Sequence, residues 1–369
     1  MNEQQVLILH LSLIPSVGPV TTQRLLNFCH EKSGTLTDVY QWSVKDFCTN
    51  GFSEKISITL FNGLKDRRAL ENERRLIEQY NIRYVTIIDD DYPPLLKHIY
   101  MPPVILYYCG GTLINYKKNI AIVGARKGNH YAQTVIDSLV PGLINNGWSV
   151  VSGGAFGVDA MAHQCALKNE GRTIAVLGSG LLRPYPFQHK KLFEQIAEKG
   201  SVVSPFPLTM EPQKGNFPAR NRIIAGLSRG VVVAQAAEKS GALITAHFGL
   251  DQGKEIFAVP GNINDTLSSG CNRLIKGGAC LVSDVNDILS AFGEDFEGKV
   301  HQTTIFKHVD PVKQAILDCC KKAVSIDDIV DQADITADLA YEHLFSLQIE
   351  GLIEQNFLGL FQVKQSISF

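Results

Sequence analysis

Eight short β-rich runs alternate with helical segments in the middle of this 369-residue chain, and no other feature limits its fold as much. The runs cover residues 82–87, 104–108, 120–123, 149–152, 173–177, 201–204, 230–234 and 256–259. Strands that are separated by helices of about ten or more residues usually pair in parallel, with helices on both faces of the sheet. The pattern therefore predicts a doubly wound α/β domain.

Other stretches flank this α/β region and divide the chain. Residues 1–80 place apolar side chains at helical spacing, which predicts a helical domain, and a tight Gly/Pro turn at residues 14–22 opens onto one of its helices. The α/β domain is expected over residues 81–293, and the aperiodic residues 294–310 indicate a linker. Residues 311–369 show three helical patterns and then two β-like runs, which are typical of a winged-helix domain.

Two of these flanking segments bear on contact with nucleic acid. The Gly/Pro turn at residues 14–22 can offer backbone N–H groups to a phosphate, as in helix-hairpin-helix modules, or it can simply connect two helices. The sequence leaves both interpretations open. Residues 311–369 carry nine acidic residues, four lysines and no arginine, and this balance favours contact with protein over a grip on DNA phosphates.

The overall composition excludes several classes of protein. With 35 basic and 37 acidic residues, the chain has no bulk attraction to nucleic acid or to a membrane, so any such contact needs charge concentrated on one face. No apolar stretch reaches the ~18 residues of a membrane span. The eight cysteines include no C-x-x-C pair. They favour reduced thiols in a cytoplasmic protein over a disulfide framework or a zinc site.

One basic cluster stands out against this neutral background. Between Glu211 and Glu238 there is no acidic residue. The same stretch carries Lys214, Arg220, Arg222 and Arg229, with Phe217 among them. Residues 217–227 predict the opening of a helix with proline in its first turn. Arginines in a first turn oppose the helix dipole unless an anion or a carboxylate meets them. Cations beside an aromatic ring suit single-stranded nucleic acid, and arginines paired to structural carboxylates are the alternative.

Two glycine-rich turns follow β-like runs, at residues 123–128 and 152–159. Glycines let a backbone approach a phosphate closely, and the Arg126 guanidinium can donate two hydrogen bonds to the same phosphate. Neither turn is a G-x-G-x-x-G sequence, and the chain has no P-loop, so no nucleotide cofactor is predicted. His163 and His247 are single histidines on predicted helices, where structural histidines are commoner than catalytic ones. We expect no catalytic residue and no metal site.

The motifs resemble the DNA-processing protein A family, also called Smf, bacterial recombination mediators of natural transformation. The matching segments are residues 91–96, 101–107, 123–126, 151–159, 217–228, 240–246 and 257–261. They follow the family order over about residues 85–290. The resemblance implies an extended Rossmann-like sheet, an amino-terminal helical domain similar to SAM or helix-hairpin-helix modules, and a carboxyl-terminal winged helix.

The resemblance also implies function. It indicates a protein that is not an enzyme, binds single-stranded DNA, forms a homodimer and helps load the RecA recombinase. The residues that it places at the DNA groove are Arg126, Gly154, Lys214, Phe217, Asn221, Arg222, Ser240, Gly241 and Lys254. For the dimer contact it suggests Ile275 and Leu281.

Two positions depart from the family pattern, and a second class of function competes with DNA binding. Gln235 stands where the family usually has Glu, and Pro205 follows Ser204 where an acid is common. The competing class is a nucleotide-processing enzyme, since a related superfamily contains phosphoribohydrolases with a P-G-G-x-G-T-x-x-E motif. Residues 260–264 diverge from that motif after Pro-Gly, and residues 152–154 lack its proline. A purely structural adaptor would leave the basic helix start unexplained.

Overall fold

The computed structural model of the chain describes residues 2–31, 36–111, 118–293, 311–320, 322–349, 352–356 and 359–363. The chain divides into two compact units, residues 1–298 and residues 299–369. Each unit has a hydrophobic core of its own. The predicted linker at residues 294–310 lies outside the described residues.

A large sheet forms the centre of the first unit. Its strands are β1 (Arg83–Thr86), β2 (Ile105–Gly110), β3 (Asn119–Gly124), β4 (Ser149–Ser152), β5 (Thr173–Val176), β6 (Ser201–Ser204), β7 (Gly230–Gln235), β8 (Glu255–Ala258) and β9 (Cys280–Leu281). They lie in the order β1-β2-β6-β5-β4-β3-β7-β8-β9. The seven neighbouring strands β6, β5, β4, β3, β7, β8 and β9 pair in parallel. At one edge of the sheet, β2 pairs antiparallel with β6, and β1 pairs antiparallel with β2. The predicted Rossmann-like, mostly parallel sheet is confirmed, and each predicted run overlaps a strand.

Helices cover both faces of this sheet. Those of the first unit are α1 (Glu3–Leu13), α2 (Pro19–Glu31), α3 (Val44–Thr49), α4 (Glu54–Lys65), α5 (Arg68–Gln79), α6 (Pro94–Lys97), α7 (His130–Asn145), α8 (Val158–Lys168), α9 (Lys190–Lys199), α10 (Asn216–Gly226), α11 (Gly241–Asp251), α12 (Ser269–Lys276) and α13 (Val285–Ala291). Short 3-10 helices lie at Leu36–Gln41 and Phe187–His189. None of the described helices is both long and apolar enough to cross a bilayer.

The two faces of the sheet belong to different cores because strand side chains alternate in direction. In β3, Ala121 and Val123 pack in the core that contains residues of α10 and α11. Ile120 and Ile122 pack on the opposite face, in the core that contains residues of α7, α8 and α13. Burial on both faces explains why the central strands are continuous apolar runs rather than alternating ones.

Helices α1 to α5 share the first of these cores with the sheet. Helix α1 begins with a capping box, in which the Asn2 side chain and the Gln5 side chain each bond the backbone N–H of the other residue. The buried carboxylate of Glu73 in α5 accepts a hydrogen bond of 2.8 Å from the backbone N–H of Leu208, beyond β6. Burial raises the pKa of Glu73. The amino-terminal helices thus hold a loop at the carboxyl edge of the sheet.

The described residues of the second unit form three helices and an antiparallel hairpin. These are α14 (Pro311–Cys319), α15 (Ile326–Ala333), α16 (Ala337–Ile349), β10 (Ile353–Gln355) and β11 (Phe361–Val363). Ser325 caps α15 by accepting a hydrogen bond from the N–H of Asp328, and Asp334 ends that helix in the left-handed conformation. Ile316, Leu347 and Phe361 are among the side chains of its small core.

Candidate nucleic-acid interface

The sheet topology gathers most of the predicted site residues at one edge. Strands β3, β4, β6 and β7 are parallel, so the loops after them leave the sheet on the same side. The chain passes from β3 to β4 in one direction and returns to β7 on the other side of β3, and ligands of open α/β sheets bind at such a switch point. The predicted residues in these loops, or in the first turns of the helices that follow them, are Arg126, Gly154, Lys214, Phe217, Ser240 and Gly241.

The turn after β4 is built around Gly154. Its φ of 63° lies in the left-handed region, and a Cβ at this position would collide with the ring of Phe193. His189 donates a hydrogen bond of 2.9 Å from Nδ1 to the Gly154 carbonyl oxygen. On the inner side, the buried Asp159 carboxylate accepts hydrogen bonds from the N–H groups of Gly153 and Ala155, at 3.1 Å and 3.3 Å. The turn is therefore fixed from both sides.

Arg220 closes the bottom of this turn. Its guanidinium is buried and donates hydrogen bonds to the carbonyl oxygens of Gly153 and Val176. Burial lowers the pKa of Arg220 to about 10, which still leaves it charged at neutral pH, while the nearby Asp159 carboxylate acts in the opposite direction. Burial raises the pKa of Asp159, against the effects of Arg220 and of the two N–H groups. Within the basic cluster, Arg220 thus has a structural role and is not an exposed cation for nucleic acid.

Helix α10 begins at Asn216, so Pro218 lies in its first turn as predicted. Arg220 and Arg222 are the fifth and seventh residues of the helix, and the expectation that they lie in the first turn is wrong. The effect of the dipole falls off within that turn. The start of α10 is therefore less unfavourable to these cations than the sequence suggests, and hydrogen bonds rather than a bound anion satisfy Arg220.

A small cavity of about 20 Å³ opens above the glycine turn. It is lined by Arg126, Gly153, Ala155, Phe156, Tyr185, Pro186, Phe217 and Arg220. The exposed Arg126 guanidinium lies 5.6 Å from the centre of the half-buried Phe217 ring, within cation–π range. The Tyr185 ring lies 5.7 Å from that of Phe217. A cation and aromatic rings thus face one small space at the edge of the sheet.

Asn221, Ser240 and Gly241 meet where α10 approaches the start of α11. Asn221 donates a hydrogen bond of 3.3 Å from Nδ2 to the carbonyl oxygen of Gly241. Ser240 is the N-cap of α11, and its hydroxyl accepts a bond of 3.3 Å from the N–H of Ala242. The exposed Gly241 N–H belongs to a helix start with no acidic residue in its first turn. Lys214, just before α10, is exposed as well.

The structure does not bring Arg222 and Lys254 to the cavity. Arg222 donates a hydrogen bond of 2.8 Å to the carbonyl oxygen of Tyr100, and its own carbonyl accepts one of 3.1 Å from Gln252 Nε2. Lys254 immediately precedes β8 and so lies at the opposite, amino edge of the sheet. Burial lowers the pKa of both side chains. Both residues therefore lie away from the glycine turn, Arg222 within α10 and Lys254 just after the end of α11.

Phe156, Tyr185 and Arg220 line the cavity, although sequence reasoning did not select them as site residues. Phe156 lies inside the second glycine turn, and its ring contacts that of His189 at 4.7 Å. Tyr185 lies in the loop after β5, beyond Gly178 and Gly180, and outside the two glycine turns selected from the sequence. No sequence signal pairs Asp159 with Arg220, because the strands that precede them, β4 and β6, are separated in the sheet by β5.

Gln235, one of the two departures from the family pattern, is buried at the end of β7. Its Nε2 donates to the Asn129 side-chain oxygen at 2.8 Å, and its Oε1 accepts from the Asn129 N–H at 3.3 Å. The same Asn129 oxygen caps α7 by accepting from the N–H of Ala132. An amide provides both a donor and an acceptor here, whereas an ionised carboxylate provides acceptors only.

The residues suggested for a dimer contact lie at the far edge of the sheet. Leu281 is in the edge strand β9 and is 48 % exposed, and Ile275 is half-buried in α12. Ile263, in the loop between β8 and α12, is 89 % exposed. Across the described part of the chain, no group of three or more His, Cys, Asp or Glu side chains is placed to hold a metal ion.

Comparisons with known proteins agree with this architecture. The family model described as DNA recombination-mediator protein A matches residues 83–293. Protein Smf of Synechocystis is 36 % identical over 304 residues, which are 79 % of this chain and 73 % of that protein. DNA processing protein DprA of Streptococcus pneumoniae is 44 % identical over 208 residues, 56 % of this chain and 73 % of that protein.

Two solved structures are also similar. The X-ray structure of DNA processing protein A from Streptococcus pneumoniae superposes with a TM-score of 0.68 at 33 % identity, covering 81 % of this chain and 99 % of that one. A structure of DNA processing protein A from Helicobacter pylori, solved to describe how that protein binds single-stranded DNA, superposes with a TM-score of 0.52 at 32 % identity. It covers 58 % of this chain and 97 % of that one. The chain belongs to the DNA recombination-mediator protein A family, whose members are DNA-binding recombination mediators and not enzymes.

Proposed function

We propose that this protein binds single-stranded DNA at the carboxyl edge of its sheet and helps load the RecA recombinase onto that DNA, during recombination and natural transformation. The observation that carries the proposal is the contact of Arg126 with Phe217 above the glycine turn. An exposed cation beside an accessible ring meets the two needs of a single strand, a positive charge for the phosphate and a surface on which a base stacks. The similar protein from Helicobacter pylori, with its described single-stranded DNA binding mode, supports this choice of ligand.

The proposed contacts divide by chemistry. Arg126 and Lys214 are exposed cations for phosphates, and the ring of Phe217 stacks on a base. Gly154, Asn221, Ser240 and Gly241 supply backbone and side-chain hydrogen-bonding groups from the turn and from the start of α11. Arg222 and Lys254 continue the positive charge along α10 and α11, toward the amino edge. No single residue carries the affinity in this arrangement.

The remaining parts of the proposal concern partners and domains. A homodimer through Ile275 and Leu281 fits the apolar, accessible edge at α12 and β9. We infer a helix-hairpin-helix or SAM-like domain for α1 to α5 and a winged-helix domain for α14 to β11. We also infer that the protein is located in the cytoplasm. The second unit serves protein contact rather than DNA contact, since its described cations are few and the exposed Asp327, Asp328 and Asp338 stand at helix starts.

Binding of labelled oligonucleotides, single-stranded against double-stranded and across a salt series, tests the proposal. We expect clear preference for the single strand and a linear fall of log affinity with log salt concentration, with a slope of about −0.7 for each phosphate neutralised. Deletion of residues 311–369 should change the affinity by less than about tenfold. Equal affinity for duplex and single strand, or no binding at moderate salt, would contradict the proposal.

A further inference from the structure

A second stretch of the chain shares the properties of the basic cluster on α10. Residues 171–193 contain no acidic residue. Within them, residues 183–191 read Arg-Pro-Tyr-Pro-Phe-Gln-His-Lys-Lys, so three cations and a histidine surround two aromatic side chains. None of these residues belongs to the motifs from which the DNA-contact residues were chosen. Interleaved cations and aromatic rings are the composition of surfaces that bind single strands.

The fold places this stretch directly beside the cavity. It follows β5, which pairs in parallel with β6, so its loop and the loop before α10 leave adjacent strands at the same edge. Two backbone hydrogen bonds of 2.9 Å join the loops, from Gly180 N–H to the Met210 carbonyl and from Leu182 N–H to the Leu208 carbonyl. The stretch is therefore fixed to the proposed site before any ligand arrives, and ordering it costs little on binding.

Its ring side chains, Tyr185, Phe187 and His189, form a row of alternate residues along the chain that begins at the cavity. Tyr185 contacts the Phe217 ring and is 42 % exposed. Phe187, two residues further on a 3-10 helix, is 72 % exposed. His189 ends that 3-10 helix and contacts both Phe156 and Phe193. A phenylalanine held on ordered backbone with most of its ring in water gains nothing from the core, so its ring is available to a ligand.

Cations border the same row. Lys190 and Lys191 open helix α9 directly after His189, and both side chains are exposed. Arg183, before the aromatic pair, is exposed and forms an ion pair of 3.2 Å with Glu211. Ion pairs this exposed are weak and can exchange the carboxylate for a phosphate. Exposed cations thus flank Phe187 on both sides in the sequence.

We propose that residues 183–191 form a second stacking platform, on which a single strand continues after it leaves the cavity. Phe187 stacks on a base beyond the one at Phe217, and Lys190 with Lys191 contacts the phosphates that flank it. This inference rests on the proposed function, because it extends the same single-strand site. A docking surface for a protein partner is the competing use of an exposed aromatic row, and the experiment below separates the two.

The test measures fluorescein-labelled oligothymidylates, from about 4 to about 20 nucleotides long, binding to the full chain. Phe187→Ala should weaken binding of the longest oligonucleotide by about 5-fold to about 100-fold with an unchanged salt slope, and should change the shortest by less than about twofold. Phe187→Trp should restore the affinity, since it keeps a stacking ring. Lys190→Ala with Lys191→Ala should lower the salt slope by about 1.4.

Matched controls lie on the amino-terminal helices. Tyr80→Ala removes another ring that is 52 % exposed, and Lys45→Ala with Lys55→Ala removes two exposed lysines. These variants should bind every oligonucleotide like the wild type. If Phe187→Ala binds the longest oligonucleotide within about twofold of the wild type while Phe217→Ala binds it weakly, the second platform is overturned and the proposed function stands. If Phe187→Ala lowers only recombinase loading, the row is a protein-docking surface and the platform is again overturned. If the wild type binds no single strand, the proposed function itself fails.

Discussion

Arg220 of helix α10 donates a hydrogen bond to the carbonyl oxygen of Gly153 in the turn after β4. It joins the helix that carries Phe217 to the turn that carries Gly154, and both of these elements line the cavity. The contact is buried, and a second bond from Arg220 to the Val176 carbonyl fixes the guanidinium against β5. A structural arginine therefore sets the spacing of the proposed DNA contacts without being exposed itself.

Arg220→Ala should be strongly destabilising. It leaves two buried carbonyl groups without a donor, each of which costs about 1–3 kcal/mol. It also removes the positive charge that favours the ionised form of the buried Asp159. Urea unfolding followed by circular dichroism measures the loss. Arg273→Ala, which removes an exposed ion pair with Glu238, is the control and should cost less than about 1 kcal/mol. Equal stability of the two variants would show that Arg220 is not structural.

Phe217 and Arg126 should contribute to DNA affinity in different ways. Phe217→Ala should cost about 1–3 kcal/mol of binding free energy with little change in the salt slope, because a ring releases no counterion. Arg126→Ala, and likewise Lys214→Ala, should lower the slope by about 0.7 and weaken all sequences alike. Titrations at several salt concentrations measure both effects.

Thermal unfolding of Phe217→Ala is the accompanying control. The ring is half-buried and packs against Gly178, where a Cβ would lie 2.8 Å from its Cδ1 atom. A variant that melts normally and binds weakly supports stacking. One that melts far below the wild type while its folded fraction binds normally would make Phe217 a core residue.

The sequence predicted the strands and the position of the glycine turns because these follow from local periodicity and from backbone requirements. Strand β9 was not predicted because it has only two residues, both exposed. The role of Arg220 could not be predicted, since its neighbours Gly153 and Val176 are 67 and 44 residues away in the chain. Which face of α10 meets the turn depends on the order of β4, β5 and β6, and no local pattern encodes that order.

The order of the strands and helices also explains why Lys254 lies away from the cavity. Its charge and its place between a helix and a strand resemble those of the other site residues, but the loop in which it lies connects the end of α11 to the start of β8. Loops of that kind reach the amino edge of a parallel sheet, whereas loops that follow strands reach the carboxyl edge. A topological assignment of each loop distinguishes the two sets, and sequence position alone does not.

The dimer hypothesis predicts a variant that is monomeric and folded. Ile275→Glu with Leu281→Arg introduces charges at the apolar edge formed by α12 and β9, and an interface there would have to bury them. Since Leu281 is 48 % exposed, the isolated chain should tolerate the change. Sedimentation should show a wild-type dimer and a monomeric variant with an unchanged melting temperature. Ile263→Glu, at a position 89 % exposed, is the control. A variant that remains dimeric would move the interface elsewhere.

His163 should make the stability of the protein depend on pH. The imidazole is buried in α8 and bonds Thr173 Oγ1 at 2.7 Å through Nδ1, while its Nε2 has no partner among the described residues. Burial lowers the pKa of His163 to about 3, and the positive charges of Arg220 and His189 act in the same direction. In the unfolded chain the pKa is about 6.5. The stability gained from the neutral ring is thus complete above about pH 6.5 and is lost as the pH falls toward 3.

Between about pH 7 and about pH 5 this single histidine should remove about 2 kcal/mol of unfolding free energy, since each pKa unit corresponds to about 1.4 kcal/mol. His163→Asn keeps a donor near the position of Nδ1 but does not titrate. The variant should start less stable than the wild type at neutral pH, because it leaves part of the buried space unfilled. Urea unfolding at the two pH values should then show a smaller loss for the variant. Parallel losses in the two proteins would mean that His163 is protonated in the folded state, and that Arg220 and burial do not control its charge.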